Sequence, residues 1–173
     1  MGNKNLLILA GVLFLGYLAA FIGAGYYADH LLRARDLEDT LQPVTILLQE
    51  NEQIVQELRS SGLATSGAVL LDVYLAAIRK DGVPQHSADM KRIATLVNND
   101  TAILALLSRY APRARTAAFR VAAEKFREYA ISFRDRWQSM FEIFMAGGNL
   151  PAAGTTLPAE FTSALAAERA AME

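Results

Sequence analysis

Polar and apolar residues are distributed differently in the first thirty positions and in the rest of the chain. From residue 6 to residue 27 no charged side chain interrupts the sequence. Those 22 positions would make a helix of about 33 Å, enough for a hydrocarbon core of roughly 30 Å. The apolar region of a secretory leader is about 7 to 15 residues, so the run predicts an uncleaved transmembrane anchor. Leu6 stands where a myristoylation signal needs Ser or Thr, so no acyl anchor is expected. Gly16, Ala20 and Ala24 recur every four residues and would leave one face of the anchor smooth enough for another helix to approach closely. Tyr26 and Tyr27 suit the interfacial aromatic belt.

Beyond Tyr27 the spacing becomes helical, and no alternating run bounded by turns suggests a strand. A first helix should continue to about Ser60, with Leu37, Leu41, Val44, Leu48, Ile54, Val55 and Leu58 near one stripe and a kink at Pro43. Ser60, Ser61 and Gly62 should stop it. A second helix, about residues 64–80, is apolar nearly all round and should be the most buried. A third, capped by Ser87, should reach Tyr110 with an irregularity at Asn98, Asn99 and Asp100, where Asp100 could cap a second piece. Pro112 primes a fourth that runs to Met145. Residues 151–158 read as a small-residue linker, followed by a short Ala-rich tail helix carrying Phe161 and Leu165. The expected architecture is all-α: an N-terminal tail and transmembrane anchor over 1–27, an antiparallel bundle of about four helices over 28–146, and a linker and tail helix over 147–173.

The fourth helix carries heptads. Phe119, Phe126, Phe133 and Met140 form one row and Ala122, Tyr129 or Ala130, Trp137 and Phe144 the next, as in a bundle seam. Beside them Arg113, Arg120, Arg127 and Arg134 repeat every seven residues, as Asp36, Glu50 and Glu57 do around Pro43 on the first helix. An antiparallel pairing of these two helices would match Arg113 with Glu57, Arg120 with Glu50 and Arg134 with Asp36, returning the fourth helix to the membrane surface. Two solvated charged faces are the competing reading. In the paired arrangement Trp137, Met140, Phe141, Phe144 and Met145 would form a patch for lipid or a partner protein, with core packing against the first and third helices as the competing reading. Asn51 falls in the apolar row of the first helix, where a buried amide would fix register or partner number; a rim position is the competing reading.

Composition removes many alternatives. With 17 Lys plus Arg against 18 Asp plus Glu, the net charge of -1 gives no basic excess for nucleic acid. The absence of cysteine excludes thiol chemistry, zinc–cysteine sites and iron–sulfur clusters. The two histidines, His30 and His86, are expected too far apart to share a metal. Gly62 and Gly67 have the spacing of a phosphate loop, but no Lys follows. Asn99, Asp100 and Thr101 form a glycosylation sequon, read as chance. No catalytic residue, cofactor or metal ligand is expected, and the chain reads as a non-enzyme.

The arrangement of one span followed by a helical domain resembles, in outline, the first membrane span and helical sensor of two-span bacterial receptors. It departs from them at Trp137 to Met145, which is too short for a second span and contains Glu142. The sequence therefore points to a single-span accessory or assembly subunit of a larger membrane complex. Gly16, Ala20 and Ala24 would pack against other subunits or a second copy. A short charged N-region before the long apolar run places the domain outside the cytoplasm, in a bacterial periplasm. The alternative is a membrane-tethered bundle that binds a ligand or regulates.

Overall fold

A computed structural model describes residues 2–63, 69–152, 157 and 159–172, with side chains from residue 13 onward. Six α-helices follow in order: α1 (Gly2–Asp36), α2 (Gln42–Ser60), α3 (Leu70–Asp81), α4 (Ser87–Tyr110), α5 (Ala117–Met145) and α6 (Phe161–Ala170). No strand occurs among the described residues. The expected first turn of the second helix at 64–68, with Gly67 of the two-glycine spacing, lies outside them, as do residues 153–156 and 158 of the linker.

α1 and α2 form one continuous rod, joined by a π-helical turn at Leu37–Leu41. Pro43 sits in the first turn of α2. Its ring has no N–H and would press on the carbonyl four residues back, so the helix widens just before it and the Gln42 N–H donates to the Leu37 carbonyl, five residues away. The expected kink is thus a widened turn. α2 ends at Gly62, whose φ of +89° suits a residue without Cβ. The Leu63 N–H reaches back to the Leu58 carbonyl at 3.0 Å, and the Leu63 side chain is buried.

The partner of α2 is α4, which runs antiparallel to it. Asp36 accepts from Arg113 at 3.0 Å, Asn51 donates to Asp100 at 2.8 Å and Glu57 accepts from Arg92 at 2.9 Å, so the pairs run in opposite directions along the two helices. This overturns the expected pairing with α5. The reason is connectivity: a tight 3₁₀ turn at Ala111–Arg113 folds α5 back on α4, which makes α5 parallel to α2 and carries its end away from α1. The arginine row of α5 is answered elsewhere. Arg127 bonds Glu124, Arg134 bonds Asp135, and Arg120 donates to the Ala114 carbonyl.

α5 starts later than expected because Pro112 lies in that 3₁₀ turn; the cap is Thr116, whose Oγ1 accepts from the Phe119 N–H at 3.3 Å. α4 is uninterrupted through Asn98, Asn99 and Asp100, and no side-chain cap bond precedes it at Ser87. The heptad row Phe119, Phe126, Phe133 and Met140 is buried throughout. α3 crosses α5, where Arg136, almost wholly enclosed, donates to both oxygens of Asp72 at 2.9 Å. α6 docks through Phe161, stacked on Phe126 at 4.7 Å between ring centres.

α1 stands apart from this core. Leu13, Phe14, Leu15, Tyr17, Phe21, Ile22, Tyr26 and Tyr27 are each more than 60% exposed and lie on every side of the helix. Among the described residues no helix is long and apolar enough to cross a membrane. Residues 6–12 of the uncharged run are positions whose side chains are not described. At its end α1 is tied to the bundle through Asp29, which accepts from Arg33 and from Arg115, the latter at 2.7 Å.

The α2–α4 register is open to a direct test, because the chain has no native cysteine. A short thiol-specific crosslinker should join the two thiols of Glu57→Cys/Arg92→Cys, and should leave Glu57→Cys/Arg113→Cys unlinked on a reducing gel.

Candidate functional site

The polar positions that matter most lie on apolar stripes. On α4 the buried positions Ile93, Leu96, Val97, Ile103 and Leu107 keep helical spacing, and Asn99 and Asp100 fall among them. Asn51 holds both: its Nδ2 donates to Asp100 Oδ1 at 2.8 Å, while its Oδ1 accepts from Asn99 Nδ2 at 3.0 Å. From α5 the Tyr129 hydroxyl adds a hydrogen bond to Asp100. One amide on α2, two neighbouring side chains on α4 and a phenol on α5 thus satisfy one another in the middle of the bundle. Burial pushes the Asp100 carboxyl up to about 7, despite the bonds from Tyr129 and Asn51 that favour its ionised form. Burial, reinforced by Asp100, likewise raises the Tyr129 phenol. The Asn99 amide is an internal donor, so the sequon is occupied by structure.

This cluster floors a groove of about 680 Å³ between α2, α4, α5 and α6, a size in the range of small-molecule sites. Leu48 and Val55 of α2, Leu96 of α4, Phe133 of α5 and Leu165 of α6 supply apolar walls. Arg59 and Arg169 lie at opposite ends, with Glu52 between them on the rim.

A second buried carboxylate fastens the tail. Glu168 is fully enclosed and accepts from the Tyr110 hydroxyl at 2.5 Å, the Arg115 N–H at 2.6 Å, the Thr116 N–H at 2.8 Å and the Thr116 hydroxyl at 2.7 Å. Burial alone would raise its pKa. The Tyr110 and Thr116 hydroxyls and the two backbone donors outweigh that and hold it below the usual glutamate range. The tail is therefore docked by a charge held in a ring of donors as well as by Phe161 and Leu165.

At the far end of the bundle His86 lies between Asp81 and Asp89, each at 3.3 Å. Asp89 also accepts from Ser61 and Arg92. Among the described residues no group of three or more His, Asp or Glu side chains could hold a metal ion. His30 lies on α1, at the opposite end.

The residues singled out in the sequence fall in two places. Gly16, Ala20 and Ala24 are exposed on α1, and a Cβ added at Gly16 would meet nothing within 4 Å. The other five, near the end of α5, do not form one patch. Met140 is fully buried, and Trp137 and Phe144 pack against the core, Trp137 lying 6.4 Å from the Tyr74 ring. Phe141 is 39% exposed and Met145 82%. They sit at the end of the bundle away from α1, because α5 runs parallel to α2. Sequence reasoning missed the joint roles of Asp100 and Tyr129, the Arg136–Asp72 pair and Glu168. A usable signal existed for two of them: Asp100 and Glu168 are acids at apolar-stripe positions.

Asp100 and Glu168 should give opposite pH dependences. Asp100 binds its proton more tightly folded than unfolded, so its contribution falls as pH rises from about 4 through about 7. Asp100→Asn, which keeps the shape and the bond from Asn51, should raise Tm at pH 8 and flatten the slope between pH 4 and 7, checked by thermal melts across pH. Glu168 is held below its ordinary value, so its stabilisation is present above about 4.5 and lost as pH falls below it. Glu168→Gln leaves buried donors without acceptors and should cost about 1–3 kcal/mol near neutrality. Limited proteolysis should then cut the tail first.

Comparison with known proteins finds no matching family model, no matching characterised protein and no matching solved structure.

Proposed function

We propose that the chain is a membrane-tethered, non-enzymatic helical module that acts as an accessory or assembly subunit of a larger membrane complex. The observation that carries this reading is α1. An apolar helix exposed on every side keeps about 25 cal/mol of unfavourable free energy per Å² of apolar surface in water, and lipid or other helices would remove it. The uncharged run from residue 6 to residue 27 supplies the length of a span. Tyr26 and Tyr27 take the interfacial belt, and Asp29, Arg33 and Arg115 follow where water begins. In lipid the hydrophobic effect no longer drives helices together, so close approach at Gly16, Ala20 and Ala24 would select the partner.

The bundle then stands on the rod formed by α1 and α2, on the periplasmic side of a bacterial inner membrane. Phe141 and Met145 lie at its far end, placed to meet the extramembrane part of a partner. The polar groups of the bundle centre are engaged with one another, which supports a binding or structural role over catalysis.

Membranes carrying the tagged full chain test this. The protein should stay in the pellet after alkaline carbonate washing and, in mild detergent, migrate with stoichiometric partner chains on a native gel. Gly16→Leu/Ala20→Leu/Ala24→Leu should keep the membrane association and lose the partners. Release by carbonate would refute the anchor, and migration of the wild type alone would refute the subunit reading.

A further inference from the structure

The groove over the polar cluster offers an unusual combination of surfaces. Its floor contains Asn51, Asp100 and Tyr129, but these groups satisfy one another, so an occupant need bring no hydrogen-bonding groups along its body. Its walls are mainly apolar, with Gln49, Glu52 and Thr162 exposed along the rim. Polar demand remains at the ends: Arg59 and Arg169 have no carboxylate partner among the described residues, whereas Arg92, Arg113, Arg115 and Arg136 are each paired. Arg169 is the more enclosed of the two, and the Thr45 hydroxyl accepts from it at 3.3 Å, which aims its guanidinium across the groove. From Thr45 to Arg59 the groove follows α2 for about 21 Å. Arg59 is exposed and stays hydrated, so a long, narrow space with mainly apolar walls, a self-satisfied floor and one half-enclosed cation, Arg169, at its end matches a single-chain amphiphile with an anionic head.

We propose that this groove binds a long-chain fatty carboxylate, with the head group on Arg169 and the acyl chain lying along Leu48, Val55, Phe133 and Leu165. A guanidinium receives a carboxylate with two parallel hydrogen bonds, so Arg169 fixes which end of the ligand lies where. The chain then covers Asp100. Covering the 4% of Asp100 that is still exposed favours its neutral form, so binding near neutral pH is accompanied by proton uptake. The polar groups converging inside the bundle are thus the lining of a lipid site. This adds a ligand to the anchored module and does not depend on which subunit α1 meets.

Photolabelling of the full chain in phosphatidylcholine nanodiscs, with a diazirine-bearing palmitate as probe, tests the site by peptide mapping. Label is expected on the α2 and α6 peptides that contain Leu48, Val55 and Leu165. Unlabelled palmitate should suppress it roughly tenfold more effectively than hexadecanol, and Arg169→Gln should weaken it by a similar factor, the size expected for one lost charged hydrogen-bonding partner. Leu165→Trp should fill the groove and abolish the α2 label, while labelling of residues 6–27 and the helical circular dichroism signal stay unchanged. Label confined to residues 6–27 would overturn the groove as a site and leave the anchor standing. Groove label with no label on residues 6–27 would do the reverse. Equal competition by the alcohol, or insensitivity to Arg169→Gln, would overturn the carboxylate assignment.

Discussion

The hydrogen bonds from Asn51 to Asp100 and from Asn99 to Asn51 are the constraint on which the arrangement of the bundle depends. An apolar seam between α2 and α4 would tolerate sliding by one turn, since Val44, Leu48, Val55 and Leu58 offer similar surfaces at each step. Sliding would strand an amide and a carboxyl away from water at about 1–3 kcal/mol each, so one register is selected. Once α4 is fixed against α2, the tight turn at Ala111–Arg113 determines that α5 runs back up beside it. The top of α5 then faces away from α1. The ring of donors around Glu168 brings α6 down to the α4–α5 turn and closes one wall of the groove.

The network carries a cost as well as specificity. Asp100 is buried where its ionised form is unwelcome, and an apolar replacement set could pack the same space with no titration near neutral pH. A carboxyl retained in such a place narrows the alternatives open to the bundle and leaves a proton-linked group beneath the groove. Glu168 shows the opposite solution. There the donors are numerous enough to overcome burial, and the charge becomes a fastener.

Much of the fold was legible from spacing. The breaks at Gly62, Asp81 and Pro112, the buried row from Phe119 to Met140 and the separate tail helix all follow from local rules about caps, glycines and apolar periodicity. Asn51 could be read either as a register-setting amide or as a rim position, and nothing local pointed to its partner. Asn98, Asn99 and Asp100 read locally as a helix break, because such side chains compete with the backbone in isolation. In the bundle Asn99 and Asp100 are drawn across to Asn51 on α2, Asn98 stays exposed, and the helix continues. The arginine row on α5 suggested the wrong neighbour, since charges repeated every seven residues also arise on solvated faces and carry no information about which helix lies opposite. The groove was not legible at all. One face of α2 lines it together with a few residues each from α4, α5 and α6 and Leu70 of α3, and only the α2–α4 register and the docking of α6 bring them together.

The most direct test of the central claim is the distance between spin labels at Leu32, beside the bundle's base, and Met145, at the end of α5, measured by pulsed electron resonance on the full chain. With α4 paired to α2 and α5 running away from α1, the 29 residues of α5 separate the labels by on the order of 40 Å. A distribution centred below about 20 Å would place the end of α5 back beside α1, given a rise of 1.5 Å per residue, and would contradict the account.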